Sequence, residues 1–226
     1  MAKSVKALIL SFLAYGLFYA DAAAQYTSTT DMEARPVHEY NTISMAGSPY
    51  LHPDFAEGTI VLNNGTTYQG INMMYDQVQD VIIFKAKNGQ VKELIEPVKE
   101  FSINYIHNNA NTSKTFRNGY SGEDVLPEAF LEVLADGKTA LLKKTSKKIF
   151  DRKSYNSATI EREVQESEDY YIATGSKLVK VKKSKSSLLA AMPGKPDDLQ
   201  SFIKTNSLNL RNDSDIAKLV AYYNSL

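Results

Sequence analysis

The residues that invite a chemical reading are few, and each stops short of a motif. Gly137-Lys138-Thr139 suggests a phosphate loop, in which backbone N–H groups cradle the anion and the lysine reaches it. That loop also needs a glycine five positions before Gly137, and position 132 is Glu132. Gly119-Tyr120-Ser121-Gly122 lacks the residue that a nucleophile elbow places between serine and its second glycine, so Ser121 reads as a loop serine. The three histidines, His38, His52 and His107, show neither the i, i+4 spacing nor the strand alternation that aims two imidazoles at one metal. With no cysteine in the chain, disulfides, thiolate metal sites and cysteine nucleophiles are excluded. The carboxylate pairs Asp197 with Asp198 and Asp213 with Asp215 fall at predicted helix starts, where they compensate the helix dipole. No Asp-rich loop with a central glycine follows these two pairs, while Glu123 with Asp124 could in principle supply an acid and a base or bind calcium. No catalytic residue, metal or other cofactor is expected, and the chain reads as a non-enzyme.

One feature exceeds what folding alone asks for. Lys138, Lys143, Lys144, Lys147, Lys148, Arg152 and Lys153 crowd one predicted hairpin and its exit, and Lys177, Lys180, Lys182, Lys183 and Lys185 crowd another. If the two hairpins are neighbours, Lys143, Lys144, Lys147, Lys148, Lys180, Lys182 and Lys183 line a positive sheet face. Such a face suits an anionic envelope component, a lipopolysaccharide phosphate or an acidic glycan for instance, or an acidic protein partner. Lysine on exposed strands also discourages edge-to-edge aggregation, which is the competing explanation. Nucleic acid is not expected, because no aromatic stacking platform is interleaved with the lysines. Tyrosine is abundant at 14 residues, and Tyr68, Tyr75, Tyr105, Tyr120, Tyr155, Tyr170 and Tyr171 suit half-buried strands as well as sugar-binding surfaces.

The elements that would position these side chains are mostly strands. Four units repeat one pattern, an apolar or alternating run, a turn with glycine, and a second run, with turn glycines Gly65, Gly89, Gly137 and Gly175. Asn64-Gly65 and Asn88-Gly89 are strong hairpin signals, since both turn residues need positive φ. Ile71 to Tyr75 and Val98 to Ile103 add further strands. Residues 104–126 read as a long loop and residues 152–169 as an exposed charged connection. After Ser186 the period changes to that of helices: Ser186 to Met192, a second opened by Pro196, and a third capped by Asn212 or Asp213. In the third, Ile216, Leu219, Val220 and Tyr223 fall on one face. The fold class expected is α+β, mainly β: a curled antiparallel sheet or open barrel of about ten strands with two or three C-terminal helices.

The start of the chain reads as an export signal. Lys3 and Lys6 precede an apolar run from Ala7 to Ala20, too short to span a bilayer, and Ala22, Ala23 and Ala24 supply the small residues of a cleavage site. Removing residues 1–24 takes two of the 26 basic and one of the 26 acidic residues and leaves a net charge near −1, with no global pull on nucleic acid or anionic membrane. The organisation expected is a signal peptide over 1–24, a mobile N-terminal arm over 25–47, a β domain over 48–185 and packed helices over 186–226. No transmembrane segment is expected in the mature chain.

Ser48-Pro49-Tyr50-Leu51, Phe55, Gly58, the Asn64-Gly65 hairpin, Asp136-Gly137-Lys138 and the closing Tyr222-Tyr223-Asn224-Ser225-Leu226 form a set. In these residues the chain, from about residue 48, resembles a group of exported proteins common in Bacteroidota. The resemblance implies a Gram-negative envelope setting, periplasmic or extracellular, and one shared architecture. It implies no catalytic residue, ligand or partner. The function expected is a binding or scaffolding role in the envelope, and the alternatives are a small-ligand carrier or sensor enclosing its ligand, or a hydrolase with scattered carboxylates.

Overall fold

A computed structural model describes residues 25–26, 32–38, 40, 45–153 and 160–226. The signal peptide expected over 1–24 lies outside the described residues. Thirteen strands form one sheet. They are β1 (Gln25–Tyr26), β2 (Ala34–Pro36), β3 (Met45–Ala46), β4 (Ala56–Leu62), β5 (Thr67–Asp76), β6 (Val81–Lys85), β7 (Val91–Leu94), β8 (Val98–His107), β9 (Ala110–Arg117), β10 (Leu131–Ala135), β11 (Thr139–Lys153), β12 (Ile160–Thr174) and β13 (Lys177–Val181). Their order is β13-β12-β11-β10-β9-β8-β4-β5-β6-β7-β2, with β1 beside β5 and β3 beside β12. The two ends, β13 and β2, do not meet, so the sheet is open. Three helices, α1 (Lys185–Ala191), α2 (Pro196–Thr205) and α3 (Asp213–Ser225), follow the last strand. The chain is therefore mainly β with C-terminal helices, as its patterning predicts. Among the described residues no helix is long and apolar enough to cross a membrane.

Three stretches differ from expectation. Residues 104–126 are not a single loop: β8 and β9 form a hairpin across Asn108 and Asn109, at φ of 49° and 61°. Asparagine tolerates the left-handed region almost as glycine does, so a tight turn forms without the usual glycine signal. Residues 152–169 are not a bare connection either. Every residue from Thr139 to Lys153 has a partner between Ile160 and Thr174, which makes β11 and β12 the longest ladder among the described residues. The high charge hides this strand because the opposite charge stands across the ladder. Finally, the described parts of the stretch read as an arm are joined to the sheet. Ala34 to Pro36 pair with β7, Met45 and Ala46 with β12, and Met32 is buried.

Strand alternation divides the core. Leu141, Ile172 and Val181 face the helices, where they meet Leu188, Leu199, Ile216, Leu219 and Val220. Leu142, Tyr171, Ala173 and Leu178 point the other way, onto Tyr120 and Val125. The strands from β4 to β9 close over a third core in which Phe101 stacks on Phe116 at 4.9 Å, with Tyr75 and Phe130 set against them edge-on or tilted. Gly58 is required where β4 passes β5 and β8: a β-carbon there would overlap the Ser102 carbonyl oxygen and the Met73 side chain.

Candidate functional site

The lysines expected on one face occupy two. Across the ladder Lys143 stands opposite Tyr170 and Tyr170 opposite Val181, while Leu142 stands opposite Tyr171 and Tyr171 opposite Lys180. Residues opposite one another share a face and neighbours along a strand do not. Lys143 and Lys147 thus lie on the helix-bearing side, and Lys144, Lys148 and Lys180 on the other. The common positive face does not form, because Lys143-Lys144 and Lys147-Lys148 are consecutive pairs that a strand must split.

Most of these lysines are also compensated. Lys143, 8% exposed, has its Nζ 3.3 Å from Glu132, 3.2 Å from Glu168 and 3.5 Å from Asp213. Burial pulls its ammonium down, but the three carboxylates outweigh it and hold the group above its ordinary value. Lys114 supports Glu132 from the far side at 3.0 Å, and Lys183 reaches Asp213 Oδ1 at 2.5 Å while lying 4.2 Å from the centre of the Tyr170 ring. Against burial, Glu168 and Asp213 are both held below the ordinary carboxylate range, Glu168 by the Tyr170 hydroxyl and Lys143, Asp213 by Lys183, Lys143 and Tyr170. This chain of alternating charge ties the first turn of α3 to β10, β11 and β12.

On the opposite face Lys144 Nζ donates to Asp80 at 2.6 Å and to the Phe130 carbonyl at 3.1 Å. Lys180 donates to Asp124 at 2.5 Å and lies 3.0 Å from Asp169, and these bonds raise its ammonium and lower Asp124. Tyr171 donates to Asp124 as well, and burial pushes its hydroxyl up to about 12. On the side shared with Lys143, Lys147, whose ammonium burial pulls down, donates to the carbonyls of Ser48 at 3.1 Å and Tyr50 at 2.7 Å. Of the seven lysines, Lys148 and Lys182 alone make no ion pair among the described residues.

The other sequence candidates sit apart from one another. His52 lies 4.9 Å from the ring of Tyr105 and His107 lies 6.4 Å from that same ring, whereas His38 packs against Tyr40. Among the described residues no group of three or more His, Asp or Glu side chains could hold a metal ion. Ser121 uses its backbone to extend β13, with its N–H donating to Ser176 and its carbonyl accepting from Leu178.

What the sequence did not single out is a groove of about 620 Å³ beside the distal half of the long hairpin. It is lined by His38, Tyr40, Met45, Ile149, Asp151 and Arg162. Tyr40 donates its hydroxyl to Asp76 at 2.8 Å, and burial together with that carboxylate raises the phenol. Asp76 is fully buried and also accepts from the backbone of Val78 and Gln79, so it fixes the β5–β6 turn and the Tyr40 ring at once. Asp151 accepts from Arg162 Nε at 3.0 Å. These groups come from segments more than a hundred residues apart, and no local spacing announces them.

No family model matches the chain, and neither a curated protein nor a solved structure matches it.

Proposed function

We propose that the chain is an exported, non-enzymatic module of a Gram-negative cell envelope that binds or scaffolds through its outer surface. The observation that carries the reading is the β11–β12 ladder. It pairs with β10 only as far as Lys143 and then runs on, with β3 beside it, as a two-stranded ribbon with an exposed Phe150 and a groove. Residues 1–24 support export. The interior gives less support to an enclosed small-ligand carrier: stacked rings pack the core between β4 and β9, and four cavities of about 360 to 620 Å³ open at the surface.

The test is to express the full chain in a Gram-negative host, fractionate the cells, sequence the N-terminus and use the recovered protein to capture partners from envelope extract at low and high salt. An envelope fraction, a chain beginning at Gln25 and a retained component support the reading. An uncleaved chain left in the cytoplasm overturns it. Retention that salt abolishes would return weight to a cationic surface around Lys148 and Lys182, since exposed charge contacts weaken as the Debye length shrinks.

A further inference from the structure

We propose that the groove beside the hairpin binds a neutral glycan, a chain of pyranose rings, which names the ligand class for the surface assigned above and rests on that reading. A pyranose ring presents an apolar C–H face and a rim of hydroxyls. It is held where a fixed aromatic or apolar wall stands beside planar groups that accept and donate hydrogen bonds. The groove has both parts. His38 and Tyr40 meet edge to face, with centroids 5.4 Å apart and planes at 88°, and Tyr50 backs Tyr40 at 6.2 Å. The hydroxyl bond from Tyr40 to buried Asp76 holds that ring before any ligand arrives, which lowers the ordering cost of binding. Met45 and Ile149 extend the apolar wall.

Asp151 and Arg162 supply the polar part. Their side chains are 57% and 35% exposed, so Asp151 still offers an acceptor to a hydroxyl while paired with the guanidinium. Among the described lining residues the charges of Asp151 and Arg162 balance, and a neutral polyhydroxylated ligand matches that lining better than a phosphate. A volume of about 620 Å³ falls within the usual range of small-ligand sites and exceeds what one ring requires.

The experiment uses the exported protein and three probes, chitotetraose, cellotetraose and maltotetraose, titrated by calorimetry and by NMR. At least one tetraose is expected to bind. His38→Ala and Asp151→Asn, both exposed positions, are each expected to weaken it about tenfold, while Lys182→Ala leaves it unchanged. If no tetraose binds, or if binding survives both groove substitutions, the proposal is overturned. If no tetraose binds but an envelope protein is retained by the wild type and lost by Asp151→Asn, the groove takes a peptide; the glycan assignment then falls and the binding-module reading stands. If nothing is retained at all, both fall.

Discussion

The carboxamide of Asn224 brackets the backbone of Thr139: Thr139 N–H donates to Asn224 Oδ1 at 2.9 Å, and Asn224 Nδ2 donates to the Thr139 carbonyl at 2.7 Å. A side chain near the end of α3 thereby supplies the two hydrogen bonds that a further strand would have supplied at the start of β11. The fit depends on Gly137, where a β-carbon would run into the Asn224 amide. Asn224→Ala is expected to cost about 1–3 kcal/mol, because it leaves a half-buried donor and acceptor unmet. Asn224→Asp keeps the acceptor for the Thr139 N–H but sets a carboxylate oxygen against the Thr139 carbonyl near the negative end of α3, so at neutral pH it should lose at least as much. Urea unfolding of the two variants measures the difference, and equal stability of Asn224→Ala and wild type would refute the bracket.

Two lysines on the same face of β11, Lys144 and Lys148, should respond unequally to charge reversal. Lys144→Glu sets a carboxylate against Asp80 and the Phe130 carbonyl in a partly buried site and is expected to destabilise by about 3 kcal/mol. Lys148→Glu, four residues on along the same face and exposed to solvent, is expected to stay within about 0.5 kcal/mol of wild type. Thermal melts of the pair decide it. A harmless Lys144→Glu would mean that the Asp80 contact does not form.

The charge network at the base of α3 sets the pH dependence. Glu168 and Asp213 are held below their unfolded values, so their stabilising contribution is present above the ordinary carboxylate range and is lost as pH falls through the lowered values. Lys143 is held above its unfolded value, so its contribution is present below that value and is lost as pH rises through the raised one. Lys147 is shifted the other way by burial, and its penalty eases in alkali. Urea midpoints between about pH 7 and pH 3 should fall for the wild type and fall less steeply for Lys143→Met, whose carboxylates have lost one partner. Parallel acid limbs would contradict the network.

Removal of α3 should not be tolerated. Ile216, Leu219 and Val220 are at most 1% exposed, and burying such side chains contributes on the order of several kcal/mol at about 25 cal/mol per Å². A chain ending at Asn212 is expected to aggregate or to lose cooperative melting, and it also loses Asp213 from the charge network. A truncated chain that melts cooperatively would show α3 to be dispensable.

The hairpins at Gly65, Gly89, Gly137 and Gly175, the mainly β class and the three closing helices follow from the sequence by itself. Local turn chemistry and side-chain period decide them, and both are properties of a few consecutive residues. The Asn108-Asn109 hairpin and the strand from Ile160 were less legible, since one turns without glycine and the other carries charges that look solvated until Lys147 and Glu166 are seen across a ladder. The fate of the lysines was decided by tertiary structure alone. Spacing shows that Lys143 and Lys144 must part, yet whether each meets water or a carboxylate depends on Glu132, Glu168, Asp213 and Asp80, which only the folded sheet and the docked helix bring near. The groove is the same case. His38, Asp76 and Arg162 share no pattern along the chain, because a site built across distant strands is specified by packing and not by period.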